Sequence, residues 1–168
     1  MNLKERYQQL ADTILAEHTA AFAAQNLDEV RALMDMVKAA DRIFVMGVGR
    51  EGISTRAFAM RLMHLGKEVH WIWDDTTPGM GKGDLFLATN GSGQIGHIHY
   101  VVEQAKKTGA SIAVVTGDPR QKTPALADCV LFVPAAVFNG TDQVRRSKGI
   151  VDHQGNPAAM GDIRDGAD

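Results

Sequence analysis

Two short glycine-rich segments hold the residues of this sequence best suited to chemistry. They are Gly47-Val48-Gly49-Arg50-Glu51-Gly52 and Asn90-Gly91-Ser92-Gly93-Gln94, each placed after an apolar run and before a helix-forming stretch. A glycine turn that opens a helix presents backbone N–H groups, and the positive end of the helix dipole, to an anion. Ser92 adds a hydroxyl donor, and Arg50 is placed to face an anionic ligand. Gly49, Arg50, Asn90, Gly91, Ser92, Gly93 and Gln94 are therefore the candidate binding residues. Glu51 in the first segment and His97 just after the second can accept and return a proton, the work of general acid–base catalysis. His97 and His99 stand two apart on an expected helix, so they point about 200° apart and only one can face the turn. His97, nearer the helix start, is the expected one. These histidines and Asp74-Asp75 form no i, i+4 ligand pair, and no metal site is expected.

The first segment also fits the dinucleotide fingerprint G-x-G-x-x-G, with glycine at 47, 49 and 52. That reading wants an acidic residue some 20 positions on for the ribose. Asp74 and Asp75 stand 22 and 23 residues past Gly52. Against it, two helical segments precede the motif, and the second glycine turn has no role. A dinucleotide domain stays a rival, in which NAD(H) would stabilise the protein and Asp74 or Asp75 would be essential.

The elements that position these residues can be read from periodicity. Apolar residues recur at helical spacing over 2–24 and 27–39, the second with Asp28 and Glu29 in its first turn, where the dipole favours acids. From residue 42 short apolar strands alternate with helices: strands at 42–47, 69–73, 84–89, 111–116 and 129–133, helices at about 52–65, 94–108 and 122–127. Strands apolar on both faces belong in a parallel sheet. The repeated βα pattern predicts a doubly wound, five-stranded parallel α/β sheet with two leading helices and right-handed crossovers. Ligands of such sheets bind beyond the carboxyl ends of the strands, where both glycine turns fall. Residues 134–168, rich in glycine, read as a loop or arm. Phe58, Met60, Leu62 and Met63 make the 52–65 helix apolar nearly all round, so it is expected to be buried within the domain or between subunits.

The 168 residues are a prior for one domain: N-terminal helices over 1–40, a βα core over 41–133, then the arm. A net charge of −2 gives no footprint for nucleic acid, and Arg145-Arg146-Ser147-Lys148 reads as a solvated loop. No apolar run reaches membrane-span length, and the charged start lacks a secretory h-region. The single cysteine, Cys129, reads as a buried strand residue. Together these point to the cytoplasm.

Residues 42–133 resemble the SIS (sugar isomerase) domain family, and within it the 6-phospho-3-hexuloisomerases. The resemblance rests on Gly47-Val48-Gly49-Arg50, the stretch from Ala57 to Gly66, Thr76-Thr77-Pro78, Gly83-Asp84-Leu85 and Gly91-Ser92-Gly93. It implies an enediol-type isomerisation of a phosphosugar, with the phosphate held by the loops after the first and third strands. It also implies a role near the site for His64, no cofactor, and assembly as homodimers or homotetramers. The chain departs from that pattern in three places. Glu51 stands where the family usually has serine. Asn90-Gly91-Ser92-Gly93-Gln94-Ile95 replaces Ser-Gly-Ser-Gly-Glu-Thr. Asp165 falls where the family carries a glutamate that is the expected base. A sugar-phosphate isomerase is the leading reading. The alternative is a SIS module that binds a sugar or sugar phosphate without turning it over.

Overall fold

The structure, a computed structural model, describes residues 2–135 and 137. The sheet unit runs Asn26–Val133. The leading helix α1 (Leu3–Ala23) belongs to a separate unit. It opens with a capping box, in which Asn2 and Glu5 satisfy each other's backbone amides.

In the sheet unit, α2 (Leu27–Ala39) leads into β1 (Arg42–Met46), α3 (Gly49–His64), β2 (Glu68–Trp71), β3 (Leu85–Thr89), α4 (Gly96–Lys107), β4 (Ser111–Thr116), a 3₁₀ turn (Pro124–Leu126) and β5 (Cys129–Phe132). The strands are all parallel, in the order β2-β1-β3-β4-β5. The expected five-stranded parallel sheet is the observed one. Successive side chains of a strand face opposite ways, and the two cores follow that period. Phe44, Met46, Phe86, Ala88, Ile112 and Val114 face α4, packing with Ile98, Val102 and Ala105. Ile43, Val45, Leu85, Leu87 and Ala113 face the other way, against Leu62 of α3 and Leu33, Met36 and Val37 of α2. Helices cover both faces because β1→β2 and β3→β4 cross over in opposite directions along the sheet.

Two helices differ from the sequence expectation. Helix α3 starts at Gly49 rather than near 52, so Arg50 and Glu51 lie in its first turn. The expected helix over 122–127 is a three-residue 3₁₀ turn, since Pro124 brings no N–H and Asp128 leaves to accept from the Ile112 amide at 2.8 Å. Cys129 is buried in β5 as expected, and burial raises its thiol pKa. Of α3 only Gly52, Thr55 and Leu62 are buried. Phe58, Met60 and Met63 are exposed, so this chain's described residues do not bury that helix on all sides.

At the amino end of the sheet, Arg42 grips Asp84 in a fork, Nη2 to Oδ2 at 2.7 Å and Nε to Oδ1 at 3.0 Å. The Gly81 amide adds a third bond to Asp84, at 2.8 Å. The guanidinium's hydrogen bonds hold the Asp84 carboxyl below its ordinary 3.8. A depressed carboxyl pKa adds stability above the ordinary value and loses it as pH falls through the lower, folded one. Asp84→Asn is expected to cost about 2–3 kcal/mol, less than a fully buried pair because the Arg42 side chain is 30% exposed. Denaturant unfolding from pH 7 down to 3 should show the wild-type advantage shrinking at the acid end.

Candidate functional site

The strand order reverses between β1 and β3, which are hydrogen-bonded neighbours. Both glycine turns follow these two strands, so the fold places them side by side at the switch point, where open α/β sheets bind ligands. In the first turn Gly47 and Gly52 are in close approach. A Cβ on Gly52 would come to 2.8 Å from the Gly47 carbonyl oxygen, and one on Gly47 to 2.9 Å from Thr55 Oγ1. Two glycines let α3 start directly over the end of β1. The N-cap of α3, Val48, offers no side-chain cap to the helix amides.

Two side chains of α3, one turn apart, reach from this helix to β3 and its turn. Thr55 is buried and donates to the Glu51 carbonyl at 2.7 Å. Its single proton is then spent, so the Thr89 hydroxyl, also at 2.7 Å, donates to it. Glu51 Oε2 accepts from the Gly91 amide at 2.8 Å. The carboxylate of the first segment thus rests on a backbone donor of the second.

The second turn is held from behind by β4 and its loop. The Gly91 carbonyl accepts from Gly117 N–H at 2.9 Å and from Thr116 Oγ1 at 3.2 Å. The Gly93 carbonyl accepts from Thr123 N–H at 3.2 Å. Asn90 is fully buried and donates through Nδ2 to Thr123 Oγ1 at 3.1 Å. Gly93 has φ +69°, and a Cβ there would lie 2.5 Å from the Cβ of Gln121. Nearby, hydrogen bonds from Arg120 and Gln121 pull the Asp118 carboxyl down to about 2. Ser92 Oγ accepts from Gln94 N–H at 3.4 Å, a weak bond.

Of the residues singled out from sequence, Gly49, Arg50, Glu51, Asn90, Gly91, Ser92, Gly93 and Gln94 all fall on these two adjoining turns. His97 is exposed in the first turn of α4, on the same carboxyl side of the sheet. His99 turns away from it, with Nδ1 3.3 Å from Thr123 Oγ1 and Nε2 3.6 Å from Glu103. His64 is the last residue of α3. Thirteen residues of helix separate it from Glu51, a rise of about 20 Å, so within one chain it does not join the cluster. Its ring lies 3.5 Å from Arg61 Nη1. Asp74, the acid proposed for a ribose, instead pairs with Arg56 of α3 at 3.7 Å. Among the described residues no group of three or more metal-ligating side chains comes together, and no helix is long and apolar enough to cross a membrane. Asp165 and the Arg145–Lys148 segment lie outside the described residues. Thr55, Thr116 and Thr123, which fix the turns, were missed in sequence. Thr116 and Thr123 at least stand at element ends, but Thr55, inside α3, carried no signal.

No protein-family model matches the chain. Among curated proteins it is similar to the 3-hexulose-6-phosphate isomerase of Methylomonas aminofaciens, 34% identical over 138 residues that cover 82% of this chain and 75% of that protein. The chain belongs to the 3-hexulose-6-phosphate isomerase family. The family's Mycobacterium gastri protein is 43% identical over 109 residues, 65% of this chain and 55% of that protein. This chain spans 55–65% of the length of that relative and of two others, from Methanothermobacter thermautotrophicus and Archaeoglobus fulgidus. A solved structure from Methanococcus jannaschii, for which a 3-hexulose-6-phosphate isomerase function was inferred, superposes with a TM-score of 0.64 at 30% identity. It covers 77% of this chain and 72% of its own. Family membership displaces the dinucleotide reading, and the close approach of Gly47 and Gly52 gives those two glycines a packing role.

Gly93→Ala should combine a left-handed backbone with a collision at Gln121, and is expected to cost about 2 kcal/mol or more. Chemical denaturation measures the loss. Gly96→Ala, at a glycine with open space around it, is the control that should leave stability within about 0.5 kcal/mol.

Proposed function

We propose that the protein isomerises a sugar phosphate, interconverting a 3-hexulose 6-phosphate and fructose 6-phosphate through an enediol. Membership of the 3-hexulose-6-phosphate isomerase family carries this reading, and the pairing of two glycine turns at the switch point supports it. In this chemistry a base takes the proton from C2 of the 3-ketose and O3 gains a proton. The enediol then loses its O2 proton and accepts one at C3. The Gly91–Gly93 turn, Ser92 and Arg50 would bind the phosphate. Glu51 and His97 are the proton-accepting groups nearest in sequence to the turns. His64 would serve only from a neighbouring copy, and the exposed Phe58, Met60 and Met63 of α3 offer an apolar surface for such assembly. The expected homodimer or homotetramer, working in the cytoplasm without a cofactor, is part of this proposal.

One observation favours the alternative, a module that binds sugar phosphate without turnover. A donor of the second turn already carries a carboxylate, Glu51. Assay of fructose 6-phosphate in D₂O decides between the two. An isomerase incorporates solvent deuterium and forms a second ketose phosphate, whereas a binding module raises thermal stability with neither. Ser92→Ala is expected to weaken fructose 6-phosphate binding about 3- to 10-fold, the worth of one hydrogen bond, as read by calorimetry.

A further inference from the structure

We propose that Glu51 sets the anion selectivity of this site by acting as an internal latch, its carboxylate holding the backbone donor that a substrate phosphate needs. The inference rests on the sugar-phosphate reading given above. A backbone amide has one proton. The Gly91 amide gives its proton to Glu51 Oε2 at 2.8 Å, so a phosphate oxygen can take that position only after the carboxylate leaves.

The latch is built rather than incidental. Glu51 lies in the first turn of α3, where the helix dipole favours an acid and the N-cap Val48 supplies no competing side chain. One turn on, Thr55 ties the Glu51 carbonyl and Thr89 together, each at 2.7 Å, which fixes α3 against β3. The Gly91 carbonyl is anchored to Gly117 and Thr116. Neither side of the contact is held by the other alone. A displaced carboxylate also stays tethered beside the incoming anion, where like charge opposes it. A hydroxyl-rich neutral sugar meets neither cost in the same measure. The site therefore discriminates against weakly held anions and admits a phosphate only when the sugar's own contacts help displace Glu51.

Inorganic phosphate, fructose 6-phosphate and fructose, titrated by calorimetry into the whole protein, test this in wild type, Glu51→Gln and Glu51→Ser. Glu51→Gln keeps an acceptor for the Gly91 amide but removes the charge, and Glu51→Ser removes both. Phosphate affinity should rise in the order wild type, Gln, Ser, with about a 10- to 100-fold gain for Ser. Affinity for fructose should move less than about threefold. Denaturant unfolding of each variant confirms that it folds. Phosphate binding that is unchanged or weaker in a folded Glu51→Ser, or a gain shared equally by fructose, overturns the latch. Tighter phosphate binding without any ketose phosphate turnover in the wild type retains the latch and rejects the isomerase.

Discussion

The parallel pairing of β1 with β3 is the constraint on which the rest of this site depends. These strands are neighbours in the sheet but not in sequence, because the chain leaves β1 through α3 to reach β2 before returning. Their crossovers depart in opposite directions, so α3 and α4 lie on opposite faces and a crevice opens between the carboxyl ends. Register matters as much as order. Met46 pairs with Ala88, which sets Gly47 level with Thr89 and the two glycine turns at one height. A slip of one residue would displace one turn by about 3.3 Å. That exceeds what hydrogen bonds of 2.7 and 2.8 Å at Thr55–Thr89 and Glu51–Gly91 can absorb.

The glycines of the first turn have an explanation that requires no particular ligand. Gly47 and Gly52 are in near contact, and a side chain on either would push α3 away from the end of β1. The spacing that imitates a dinucleotide fingerprint arises because any helix begun so tightly over a strand needs small residues at the two facing positions. Asp74, drawn to Arg56, has a surface partner of its own.

The sheet was legible in sequence because its strands are apolar on both faces and because Gly, Asn and Asp punctuate them. The placement of both turns at the switch point followed from that topology. Three things did not follow. The start of α3 lies earlier than expected because Gly49 reads as part of a turn, which hides that Arg50 belongs to the helix. The Glu51–Gly91 bond joins residues 40 apart, and its existence depends on register and helix pitch, neither of which a motif encodes. His64 followed from family likeness, but its position thirteen residues along a rigid helix already separated it from Glu51. For His97 and His99 the angular argument was sound. His97, expected to face the turn, is exposed, and it is His99 that reaches Thr123, a residue with no distinguishing sequence context.

The helix dipole and the ligand site compete for the same carboxylate. An uncapped helix start favours an acid in its first turn, and in α3 that acid is Glu51. With no phosphate bound, the arrangement serves the fold, since the carboxylate satisfies the Gly91 amide and answers the dipole together. With an anion at the turns, the same group becomes a like charge close to it. On the latch proposal, the bond between Glu51 and the Gly91 amide is what a phosphate must displace, and fold and selectivity are tied through one side chain. Phosphate alone has only its contacts to the turn, Ser92 and Arg50 to offset this cost, but a sugar phosphate brings its hydroxyl-bearing chain as well. On the proposal above, the number of groups a ligand can place across both turns, more than its charge, sets whether it displaces Glu51.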